Sequence, residues 1–177
     1  MARYAAFLGS INVGGNRLLM AELRQALERA EFEDVETVVA SGNVLFSHDE
    51  RPSEGLSEKF AFVLRERFEI HTFAAVRSRE EVAAAIADNP FSGSGEDAFV
   101  HTHFLAGRPA QAQFDDLVTA YEGRGPERLA LGDRALYIDY VDGAGNSKLT
   151  AAFIERRLGC RGTSRNMRSL KRILDKM

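Results

Sequence analysis

Two groups of polar residues in this sequence are of types that could hold an anion. The first is the run Ser10-Ile11-Asn12-Val13-Gly14-Gly15-Asn16, in which Gly14 and Gly15 leave their backbone N–H groups unobstructed by a side chain. Successive N–H groups in such a turn can point at one negative ligand, and Asn12 adds an amide beside them. Ser41-Gly42-Asn43 offers a second polar turn, with Asn43 as its amide. The spacing is neither a Walker loop nor a GxGxxG fingerprint, and turn chemistry alone accounts equally well for the glycines and asparagines.

The second group lies near the C-terminus. Ser147-Lys148 and Ser164-Arg165-Asn166 each place a hydroxyl and a cation where a helical pattern begins, and a helix start attracts anions through its free N–H groups and dipole. An earlier helix pattern opens with Ser78-Arg79-Glu80-Glu81, where serine and glutamate can form a capping box. Ser164-Arg165-Asn166-Met167 has no acid in the equivalent turn. A cation there costs about 0.3–1 kcal/mol unless a negative group sits beside it. The plain alternative is that Lys148 and Arg165 point to solvent or pair with acids such as Asp142.

Other residues of chemical type carry less. His101 and His103 share one side of a strand pattern, but no third metal ligand stands at a suggestive spacing, so no metal site is expected. Cys160 is the lone cysteine; it lies between Gly159 and Arg161, where neighbouring arginines would lower its thiol pKa, although a single cysteine at a strand start is more often a small buried hydrophobe. Ser10 and Ser41 lack an identifiable histidine base, and no carboxylate pair forms an acid/base couple. The reaction class, if there is one, is left open, and no cofactor is expected.

The elements that position these loops follow from hydrophobic period. Tyr4 to Leu8 reads as a buried strand. Leu19, Leu23 and Leu27 mark one face of a helix, and Val35 to Phe46 reads as a hairpin turning at Ala40 to Asn43. Leu56, Phe60, Val63, Leu64 and Phe68 give a second helix, Thr72 to Val76 a strand, and Ser78 opens a helix that stops at Asn89-Pro90. Pro90 to Glu96 reads as a linker with little to bury. The same order then recurs, ending with Cys160 to Thr163 as a short strand and Met167, Leu170, Leu174 and Met177 as a last helix. We therefore expect an α+β protein of two tandem ferredoxin-like units, each βαββαβ with a terminal helix and an antiparallel sheet. Their ranges are 1–89 and 98–177, joined by 90–97. In that topology the first glycine loop meets the hairpin tip of its unit, and the loop 142–148 meets the junction 163–166.

With 177 residues, 45% of them hydrophobic, and a net charge of -3, the chain can bury a core and is no globally basic nucleic-acid coat. The stretch MARYAAFLG is a poor signal peptide and no apolar run reaches bilayer-spanning length, so a cytoplasmic location without a membrane partner is expected. From Lys148 onward nine cations face only Glu155 and Asp175. Arg165, Arg168, Lys171 or Arg172, and Lys176 can line one helix flank, which makes a nucleic-acid partner the second choice after a small anionic ligand. A homodimer through an open sheet edge is the third reading.

The loops also carry a family pattern. INVGG followed by MAELRQAL, then SGNVLF, NPF, ALYIDY, SKL and TSRN with its helix, all in order, resemble the bacterial family of domain of unknown function 1697 (DUF1697). Two positions depart from it: Gly9-Ser10 stands where the family usually has Arg-Gly, and Met167 where it usually has tryptophan. The resemblance implies two related α+β domains and brings no catalytic residues. The sequence thus points to a protein that binds a small phosphorylated or otherwise anionic ligand. Asn12, Gly14, Gly15 and Asn43 would orient it, and Ser147, Lys148, Ser164, Arg165 and Asn166 would hold the charge.

Overall fold

The computed structural model describes residues 1–9, 18–39 and 42–177. By its contacts the chain divides into two compact units, Met1–Val82 with Arg172–Met177, and Ala83–Lys171. Each contains a four-stranded antiparallel sheet with the strand order of a ferredoxin-like fold. Among the described residues no helix is long and apolar enough to cross a membrane.

In the first unit the order is β1 (Ala2–Leu8), α1 (Met20–Arg29), β2 (Glu33–Thr37), β3 (Asn43–His48), α2 (Ser53–Phe68) and β4 (Ala74–Ser78), followed by α3 (Arg79–Ala87), within which the division between the units falls. The sheet runs β2-β3-β1-β4. Alternation puts Tyr4, Ala6 and Leu8 of β1 and Val44 and Phe46 of β3 on one face. Leu23, Ala26 and Leu27 of α1 and Leu56, Phe60, Val63 and Leu64 of α2, spaced three to four apart, cover that face. Phe32 meets Phe46 edge-on at 4.8 Å between ring centroids. Burying each such side chain contributes roughly 1.5–3 kcal/mol. The expected alternation to Val39 stops earlier, because Val39 takes a left-handed φ of 65° and leaves the strand.

The second unit has β5 (Val100–Leu105), α4 (Gln111–Tyr121), β6 (Arg128–Gly132), β7 (Ala135–Asp139), α5 (Ala151–Leu158) and β8 (Gly162–Asn166), with sheet order β6-β7-β5-β8, and α6 (Met167–Lys176) starts in it and passes at Arg172 into the residues counted with the first unit. Leu105, Leu136 and Ile138 form the inner face, covered by Leu117 and Tyr121 of α4 and Ile154 and Leu158 of α5. Gly132 ends β6 where a Cβ would lie 2.5 Å from the Tyr137 ring, so the β6–β7 corner admits no side chain there.

Three further sequence expectations change. The stretch from Pro90 is no bare linker: Phe91 is buried with Val100, Tyr137 and Met167, its N–H bonds to Asn89 Oδ1 at 3.0 Å, and the Arg128 guanidinium lies 4.8 Å from its ring centroid. The helix expected from Ser147 starts later, because Thr150 is its N-cap and accepts the Phe153 N–H at 3.2 Å. Ser164, Arg165 and Asn166 continue β8 instead of opening the last helix, since each pairs with a residue of β5, in the register His103–Ser164, Thr102–Arg165 and His101–Asn166.

Candidate functional site

Asn12, Gly14 and Gly15 lie outside the described residues, as do Ser10, Asn16 and Ser41. Their flanks behave as the topology requires. The Leu8 N–H bonds to the Gly42 carbonyl at 2.8 Å, so the exit of β1 adjoins the hairpin tip. Asn43 opens β3 and is buried at 3% exposure, and its carbonyl accepts the Val38 N–H at 3.1 Å to close the hairpin.

The start of α6 is not the bare positive end the sequence suggested. Asn166 is its N-cap, with Oδ1 accepting the Ser169 N–H at 2.8 Å, and the Arg168 N–H bonds to the Asp97 carbonyl at 3.2 Å. A neutral amide performs the capping that the missing acid would have done. Ser164 is also engaged: its Oγ lies 2.8 Å from Nδ1 of His103, a buried ring. Arg165 turns along its own strand, Nη1 donating to Thr163 Oγ1 and to the Ser164 carbonyl, both at 2.8 Å. Burial lowers its pKa to about 10, which leaves it charged at neutral pH. Burial raises the Cys160 thiol above its ordinary value, so the sulfur is not an activated nucleophile, and it packs against the core of its unit.

Ser147 and Lys148 sit elsewhere, on the loop from β7 to α5. They line a cleft of about 260 Å³ together with Tyr121, Arg124, Gly125, Pro126, Glu127, Asp142, Gly143 and Asn146. Its floor is a carboxylate network. Glu127 Oε1 accepts the Ser147 hydroxyl at 2.6 Å and Oε2 accepts the Tyr121 phenol at 2.7 Å. Ser147 Oγ in turn accepts the Leu149 N–H at 3.0 Å. Desolvation works against the charged carboxylate, but these two hydroxyls and the charge of Lys148 outweigh it and hold the carboxyl below its ordinary pKa. Burial, and next the Glu127 carboxylate, push the Tyr121 phenol up, which keeps it the donor. Gly125 makes the network possible, since a Cβ there would collide with Glu127 Oε2.

Two cations line the same cleft. Arg124 lies over the Phe153 ring at 5.3 Å, and Lys148 is exposed at the rim. The structure therefore separates the expected second cluster. Lys148 keeps a place in a cleft, Ser147 is committed to Glu127, and Ser164, Arg165 and Asn166 are committed within β8, to His103, and to the α6 cap.

The sequence matches the profile of the family described as "Protein of unknown function (DUF1697)" over residues 1–137. The chain belongs to the DUF1697 family. Among solved structures it is similar to the conserved bacterial protein SP0830 from Streptococcus pneumoniae, with 26% identity, a TM-score of 0.73, and coverage of 99% of this chain and 98% of that one. No functionally curated protein matches it. Within this DUF1697 chain, Tyr121, Arg124 and Glu127 fall inside the matched range, whereas Ser147, Lys148 and Ser164 to Asn166 lie beyond it.

Residue-type reading passed over Tyr121, Arg124, Gly125 and Glu127. A signal for them existed in the topology. In an antiparallel hairpin the exit of β7 and the entry to β6 lie at the same end of the sheet, and Val100, Asp139 and Arg128 share one register there. The polar, glycine-bearing connection from Glu122 to Glu127 in this DUF1697 chain was therefore bound to adjoin the loop 142–148.

Proposed function

We propose that this protein binds a small anionic ligand in the cleft of its second unit, with Arg124 and Lys148 supplying the positive charge. The observation that carries this reading is that both cations line one cleft while Glu127, a carboxylate in the same lining, already has a hydroxyl on each oxygen. Asn146 adds an amide to the lining, and Tyr121 and Ser147 fix the floor. A cleft of about 260 Å³ is smaller than most sites for drug-sized molecules, which favours a compact ligand such as a carboxylate or phosphate. The polyanion reading of the last helix is weaker, because Lys171 is paired with Asp97 at 2.8 Å and Arg165 is folded onto its own strand. Two of the cations expected along that flank are thereby engaged.

The test is a thermal-shift screen with phosphate, sulfate, acetate and citrate at matched ionic strength. A ligand at 100 times its dissociation constant adds about 2.7 kcal/mol, which for a domain of this size raises the melting temperature by roughly 5–10 °C. The shift should vanish in the Arg124→Ala/Lys148→Ala double variant. No shift with any anion, or an equal shift in the double variant, defeats the reading.

A further inference from the structure

The cleft proposed above as an anion site also carries two acids, Glu127 and Asp142, beside Arg124 and Lys148. Here none of the four is ion-paired among the described residues. Glu127 is kept from swinging towards a cation by Tyr121, which is buried on α4 and donates to Oε2, and by Ser147, which donates to Oε1. Arg124 is held over Phe153. A carboxylate has room for about four hydrogen bonds, and the two hydroxyls leave each Glu127 oxygen able to accept another.

Opposite charges that line one cleft without an ion pair between them match a ligand with opposite charges at its two ends. Resting on the anion-site reading, we propose that the ligand is a small zwitterion of the amino-acid class, its carboxylate on Arg124 and Lys148 and its ammonium on Glu127 and Asp142. The fixed carboxylate is what makes the pairing selective. A group already locked in place loses little freedom when the ammonium arrives, so affinity for the second pole comes without a reordering cost. The two hydroxyl donors keep Glu127 ionised, and the compact cleft limits the chain between the two poles to a few carbon atoms.

Isothermal titration of the full chain with acetate, methylammonium, glycine, β-alanine and lysine tests this. At least one zwitterion should bind tenfold or more tightly than both acetate and methylammonium. Glu127→Gln should abolish the tenfold preference of the site for that zwitterion over acetate. Asp142→Asn, a change at an exposed loop residue, serves as the second variant should Glu127→Gln fail to fold by circular dichroism, and it should weaken the zwitterion relative to acetate. If acetate binds as tightly as every zwitterion, or both acid substitutions leave zwitterion affinity unchanged, the inference is overturned and the anion site stands. Absence of binding by acetate, phosphate and every zwitterion overturns both.

Discussion

Acid should destabilise this protein through His103, well above the pH at which carboxylates are lost. The ring is buried at 2% exposure, its Nδ1 lies 2.8 Å from Ser164 Oγ, and its Nε2 has no partner. Burial, and next the charge of His101, lower its pKa from 6.5 to about 4. Between those two values the unfolded chain binds more protons than the folded one, so stability is complete above pH 6.5 and falls as the pH drops towards 4. Integrating that proton difference from pH 8 to pH 5 gives a loss of about 2 kcal/mol for this one group. His101, whose pKa burial also lowers, adds to it in the same direction. The chain has no tryptophan, so urea unfolding followed by far-UV circular dichroism at pH 8, 6.5 and 5 is the suitable measurement. His103→Asn retains a polar group for Ser164 and cannot titrate. Whatever its absolute stability, its loss between pH 8 and pH 5 should be smaller than that of the wild type by about 2 kcal/mol. A wild-type stability that is flat over this range, or an undiminished pH slope in the His103→Asn variant, would refute the reasoning.

Further outcomes follow from single contacts. Asn166→Ala removes the α6 cap and should cost about 1 kcal/mol in urea unfolding, whereas Asn166→Asp should hold stability or raise it, because a negative cap suits the helix dipole. Gly162→Ala would drive a Cβ into His103 Nε2 and should destabilise by about 1–3 kcal/mol, since neither a buried ring nor a paired strand can move aside freely. Tyr121→Phe removes a donor from the Glu127 carboxylate and should cost about 1–2 kcal/mol. In the same variant the Glu127 carboxyl should titrate at higher pH, which NMR of its side chain would read directly.

The fold was legible because its signals are periodic. Leu23 with Leu27, and Leu56 with Phe60, Val63 and Leu64, declare helix faces, and the alternation through Val44 and Phe46 declares a strand. The candidate site was only half legible. Ser147 and Lys148 looked like a helix start because serine before an apolar helical pattern is a cap signal, yet Thr150 takes that role three residues on. Ser164-Arg165-Asn166 looked helical for the same reason, and strand pairing with β5 overrode it, since each residue there gains a partner from the sheet. Nothing in residue type reveals that Glu127 will gather two hydroxyls from an α4 residue and a loop residue, because that contact depends on where the tertiary fold brings three separated segments. Phe91 shows the opposite failure. A stretch rich in glycine and serine was read as a linker, but one buried aromatic under Arg128 anchors it.

Comparing the two sheets strand by strand separates what the fold needs from what is particular to the second unit. Ala5 of β1 pairs with Arg77, and Thr102 of β5 pairs with Arg165, so the two arginines occupy equivalent places. Each sends Nη1 to the carbonyl of the preceding residue, at 2.9 Å for Arg77 and 2.8 Å for Arg165. The residue after each caps the next helix, Ser78 accepting the Glu81 N–H at 3.1 Å and Asn166 accepting the Ser169 N–H at 2.8 Å. An arginine and cap that recur in both units belong to the architecture, and Arg165 therefore has a structural explanation that requires no ligand. The cleft has no such counterpart. In the first unit, β3 reaches α2 through the short turn Asp49 to Pro52, and α1 reaches β2 through Ala30 to Phe32. In the second, the same two connections run from Tyr140 to Thr150 and from Glu122 to Glu127. Both walls of the cleft are thus added length on a repeated scaffold, and added surface loops on a fixed scaffold are where binding residues concentrate. That places Arg124, Glu127 and Lys148, rather than the arginines of the strand ends, at the part of the chain where a function specific to the second unit would arise.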